Sequence, residues 1–138
     1  MVHEDSILAA SSAAPRILTI GLHPKSLDYS QFPDLDEPKL LARIEAGNAA
    51  MRAAGFDAVS CLLDAAPDSA EREIRAHLVD GPVAVAMIGG AIRMIPEHTL
   101  LFEHIVNVLS AAVPGIVFCF NTSPETTVDA VRRALSAR

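Results

Sequence analysis

Four short apolar runs, each closed by polar turn residues and each followed by a helical pattern, leave this chain few folds to choose from. Arg16–Leu22 ends in Gly21-Leu22-His23-Pro24, and Ala58–Leu63 in Asp64-Ala65-Ala66-Pro67-Asp68. Val83–Ile88 ends in Gly89-Gly90-Ala91-Ile92-Arg93, and Ile116–Phe120 in Asn121-Thr122-Ser123-Pro124. Strands that alternate with helices build a parallel sheet covered on both faces. Right-handed crossovers with a central first strand then give the order 2-1-3-4, a three-layer αβα domain of flavodoxin-like or Rossmann-like type. In that order the winding reverses between strands one and three. Ligands bind beyond the carboxyl ends of the strands at such a switch point. The pattern says where a site belongs, not what it does.

The helices between these runs are written in caps and breakers. The first is expected from Pro38, with Leu40, Leu41, Ile44, Gly47, Met51 and Ala54 as its apolar stripe and Gly55 as its stop. The second, Ser69–Leu78, spaces Glu71 and Arg75 for an i,i+4 pair. The third, Pro96–Ala112, is apolar over more than half its circumference, wider than one sheet-facing stripe requires. Ser123 and Pro124 suit the N-cap and first position of a fourth. A loop from His23 to Glu37 is long for a compact domain and reads as a lid. Residues 16–138 form the expected single domain, behind a loosely held arm over residues 1–15.

Composition narrows the function classes. A formal net charge of −6 with scattered basic residues argues against nucleic acid as a partner, because phosphate backbones need a basic face. The apolar runs are shorter than the ~20 residues of a membrane span, and Glu4 and Asp5 stand where a leader would be basic, so a cytoplasmic protein away from membranes is expected. Cys61 and Cys119 fall inside strands, outside any Cys-x-x-Cys spacing, and read as buried thiols. No Gly-x-Gly-x-x-Gly or phosphate-loop sequence follows a strand, so no cofactor is expected.

The candidate site residues are therefore those of the strand ends. His23 follows the central strand and could move a proton or a phosphoryl group. Gly89 and Gly90 let backbone amides approach an anion, and Arg93 adds charge and paired donors; the alternative for this turn is glycine needed for positive φ, with Arg93 on a surface carboxylate. Asn121, Thr122 and Ser123 open a helix whose free amides favour an anion, although capping alone also accounts for them. Glu97, His98, Glu103 and His104 do not make a metal site. His98 and His104 point to nearly opposite sides of a helix, and Glu97 and His104 lie two turns, about 10 Å, apart.

The runs GLHP, SCLLD, IGGAIR, LLFEHIVN and FNTSPETTVDAVRRAL, spread over Ile17 to Leu135, resemble a family of short bacterial hypothetical proteins with a Rossmann-like or flavodoxin-like fold. The resemblance implies the fold and the crevice turns, and no catalytic residue. A His just after the first strand is also similar to mannose-type sugar phosphotransferase components. Response-regulator receivers are excluded, since their acidic positions hold Gly-Leu-His-Pro and Gly-Gly here. His23-Pro24-Lys25 does not resemble the phosphate-wrapping first turn of flavodoxin.

Three expectations follow. The first is a small anionic ligand held by His23, Gly89, Gly90, Arg93, Asn121, Thr122 and Ser123. The second is a phosphocarrier acting through His23. The third is a structural homo-oligomeric or partner-binding module without catalysis. Under any of the three, a homodimer is expected through helix 96–112 or the strand 115–120 edge.

Overall fold

Four parallel strands form one sheet in the order β2-β1-β3-β4, as the crossovers require. The architecture was read from a computed structural model that describes residues 15–138. The expected arm lies outside the described residues except for Pro15. Strand β1 (Arg16–Leu22) is central and pairs along its whole length with β2 (Asp57–Leu63), from Arg16 opposite Asp57 to Leu22 opposite Leu63. On its other side β1 meets β3 (Val85–Ile88), which in turn carries the edge strand β4 (Val117–Phe120). The result is a flavodoxin-like or Rossmann-like α/β fold with helices flanking the sheet.

Period-two alternation splits the core into two halves. Leu18, Ile20, Leu22, Cys61, Leu63, Ala86 and Ile88 face α2 (Pro67–Val79) and α4 (Thr99–Ala112). Ile17, Val85, Met87 and Cys119 face Met51 of α1 (Glu37–Ala53) and Ala130, Val131 and Ala134 of α5 (Thr127–Ser136). Both cysteines are buried free thiols; burial pushes Cys61 up to about 12 and Cys119 to about 11, so both stay protonated at neutral pH.

Helix ends follow local chemistry. Asp36 caps α1, its Oδ1 accepting from the Lys39 amide at 2.8 Å, and Pro38 sits in the first turn. Glu71 receives Arg75 at 2.7 Å as the spacing predicts, and also meets His104 Nε2 of α4 at 2.7 Å. This contact places α2 beside α4, which explains the breadth of the apolar surface on α4: Leu101, Ile105, Val108 and Leu109 are all buried within the fold.

Two expectations need correction. The Gly89-Gly90 turn is not a positive-φ turn: Gly89 is extended at φ −72°, and Gly90–Arg93 form a one-turn helix, α3. The loop after β1 is not structureless. Single 3-10 turns at Pro24–Ser26 and Tyr29–Gln31 are held by His23 and Asp28 caps and by the Tyr29 hydroxyl donating to Pro24 O at 2.6 Å. Along the α1 stripe Met51 is buried, and Leu40, Leu41 and Ile44 are half-covered.

Candidate functional site

A cavity of about 440 Å³ lies at the carboxyl end of the sheet, beside α1. Its floor is the strand ends, with Thr19, Gly21, Leu62, Met87 and Gly89. Leu40 and Ile44 of α1 form one wall, Leu27, Phe32 and Leu35 of the loop after β1 another, and Met94 and Ile95 after α3 a third. The remaining side is the Asn121–Pro124 turn with Thr127. The volume falls within the range of small-molecule pockets, ~300–1,000 Å³, and the switch point of an open parallel sheet is where such pockets occur.

The expected site residues divide into two groups. Gly89, Gly90, Asn121, Thr122 and Ser123 line the cavity, whereas His23 and Arg93 do not. His23 turns toward β2. Its amide donates to Leu63 O at 2.7 Å, and its Nδ1 accepts from the Lys25 amide at 3.1 Å, which makes it the cap of a 3-10 turn. Arg93 neither pairs with a carboxylate nor faces an open anion site. Its guanidinium donates to Ile88 O at 3.1 Å and to Asn121 O at 2.7 and 3.1 Å, and it stacks 5.0 Å from the centre of the Phe120 ring. It remains a cation, although burial holds its pKa below the usual guanidinium value. Arg93 therefore ties the carboxyl ends of β3 and β4 together.

The amides of Thr122 and Ser123 are also engaged. Both donate to Thr126 Oγ1, at 2.9 and 3.2 Å, in the return half of a capping arrangement. The capping reading of Asn121-Thr122-Ser123-Pro124 thus describes these amides, and an anion would have to displace Thr126 to reach them.

The side chain of Asn121 differs from the rest. Asn121 is 5% exposed. Thr127 donates its hydroxyl to Pro124 O at 2.8 Å, so its oxygen can only accept, and Asn121 Nδ2 donates to it at 3.0 Å. That bond fixes which end of the amide is which. Asn121 Oδ1 is left buried without a donor among the described residues. A buried acceptor in that condition costs about 1–3 kcal/mol, so it calls for an explanation.

Electrostatics at the rim are balanced. Arg43 of α1 lines the cavity, yet its guanidinium is clasped to Glu125 by two bonds of 2.8 and 3.0 Å. Among the described residues no Asp or Glu stands in the lining. Among the described residues no three His, Cys, Asp or Glu side chains gather where they could hold a metal ion; His98 Nδ1 meets Ala91 O, and His104 meets Glu71.

Sequence reasoning missed the walls. Leu35, Leu40, Arg43 and Ile44 line the cavity and were not among the expected site residues. The signal available was the length of the loop from His23 to Glu37, which read as a lid without specifying what it covers. Comparison with protein-family models, curated proteins and solved structures found no match. No helix of the described residues is long and apolar enough to cross a membrane.

Proposed function

We propose that this protein binds a small, mostly apolar organic molecule in the carboxyl-edge cavity. The observation that carries this reading is the 440 Å³ cavity itself, walled by Leu27, Phe32, Leu35, Leu40, Ile44 and Leu62 and closed at one side by a buried, unsatisfied Asn121. Apolar walls with a few placed polar groups are the usual composition of a small-molecule pocket. A purely anionic ligand has weaker support, because Arg93, Arg43 and the Thr122 and Ser123 amides already have partners. Phosphoryl transfer at His23 is weaker still, since the ring caps its own loop and lies outside the cavity lining.

Indole is a suitable probe, being flat, small and uncharged. Titrated into ¹⁵N-labelled protein, it is expected to shift the amides of Thr19–Leu22, Gly89–Ala91 and Asn121–Thr122. Ile44→Trp, which fills the cavity from α1, should abolish those shifts. Shifts absent at millimolar indole, or confined to surfaces such as the Asp80-Gly81 turn, would overturn the reading.

A further inference from the structure

The three buried polar side chains of the cavity, Thr19, Asn121 and Thr127, leave one acceptor without a donor. Thr19 Oγ1 donates to Val59 O at 3.2 Å, and Thr127 Oγ1 to Pro124 O at 2.8 Å. Both hydroxyl protons are therefore committed to backbone carbonyls. Asn121 Nδ2 donates to Thr127, and Asn121 Oδ1 has no donor among the described residues. The residue is also held in place from behind, where its own carbonyl receives both terminal nitrogens of Arg93. A buried acceptor left without a donor is matched by a ligand that donates.

From this geometry we infer that the ligand carries a neutral N–H or O–H donor on an otherwise apolar body, and that Asn121 Oδ1 receives it. This rests on the small-molecule reading above and specifies the ligand class. The Asn χ2 torsion is soft, so the covered oxygen can turn toward the cavity when a donor arrives. A carboxylate or phosphate would set acceptor against acceptor. An ammonium would lose its hydration against Leu, Ile and Phe, with no carboxylate among the described lining residues to replace it. A neutral donor is the chemistry that fits both the walls and the orphan oxygen, and it discriminates strongly against analogues that lack it.

Indole and benzofuran test this directly, because they share a shape and differ in N–H against ring oxygen. The readout is the ratio of their affinities in the wild type compared with the ratio in Asn121→Leu, which cancels their different hydration. The ratio is expected to favour indole about tenfold more in the wild type than in the variant. A second readout needs no variant and survives a failure of Asn121→Leu to fold. The Asn121 Cγ resonance of the wild type should move on adding indole and stay in place with benzofuran. Equal ratios in the two proteins, or equal Cγ responses, would overturn the donor inference while leaving the pocket reading intact; failure of both compounds to bind would overturn the pocket reading itself.

Discussion

Arg43 and Glu125 show how a single exposed ion pair can hold two elements in register. The guanidinium of α1 clasps the carboxylate of the Pro124–Thr126 turn with paired bonds, a geometry that favours Arg over Lys. Hydrogen bonding to Arg43, first of all, lowers the Glu125 pKa to about 2 from an ordinary 4.5. The folded-state value is depressed, so the stabilisation is complete above about pH 4.5 and is lost as pH falls toward 2. Both side chains are largely solvated, and the effect on global stability is accordingly small. The expected outcome is that the Glu125 carboxyl, followed by ¹³C NMR, titrates near 2 in the wild type and returns toward 4.5 in Arg43→Ala. The pair was illegible in the sequence, because residues 82 positions apart announce no contact. The same holds for Arg93. Its charge was visible, but the two carbonyls that consume it belong to strand ends whose juxtaposition only the fold creates. Asn121 stood out for its turn position, and the state of its Oδ1 depended on Thr127 donating elsewhere.

The strands were legible because apolar runs bounded by Gly, Pro and Asp have few other readings, and the observed β1 and β4 differ from expectation by a residue at most. The one-turn helix α3 was not, since two glycines at its start carry the poorest helix propensity short of proline. What brings that turn into helical form is tertiary: Gly89 N donates to Ile20 O at 2.8 Å, and Arg93 reaches back to the strand ends. Gly47 in α1 is another glycine that local propensity cannot explain. A β-carbon built there would meet Pro124 O at 2.9 Å, so the helix approaches the turn backbone as closely as it does only without a side chain. In an ordinary helix interior Gly→Ala stabilises by roughly 0.5–1 kcal/mol. Here a backbone atom must give way, and overpacking of that kind costs about 1–3 kcal/mol. Gly47→Ala is therefore expected to lower stability by about 1 kcal/mol in urea melts, whereas Ala would stabilise if the contact were soft. The same shift should move α1 relative to the cavity it walls.

At the scale of the whole molecule, the 2-1-3-4 order was legible because handedness leaves few alternatives, and it places β4 at an edge. Val117–Phe120 carries no charge or proline to discourage further pairing, so the edge is a site where we expect a second copy of this chain. The broad apolar surface expected of residues 96–112 is largely spent inside the fold, and Ile105 is a core residue at 1% exposure. What remains open is smaller: Val79 of α2 is 85% exposed and Phe32 of the loop after β1 36%. Met94 is 67% exposed, Leu100 71% and Phe120 40%. Phe120 packs edge-to-face on Phe102 with ring centres 6.2 Å apart and lies under Arg93, which brings the end of α3, the start of α4 and the end of β4 together. A twofold axis beside β4 would cover this patch and pair the two edges, and twofold dimers are the commonest soluble assembly. Leu100→Glu is the suitable probe, because it charges an exposed side chain and spares the core. Sedimentation at micromolar concentration is expected to give a dimer for the wild type and a monomer for Leu100→Glu, with unchanged thermal stability of the fold at low protein concentration. A wild-type chain that stays monomeric at every concentration tested would remove the edge from consideration and leave the cavity as the molecule's one interaction surface in view.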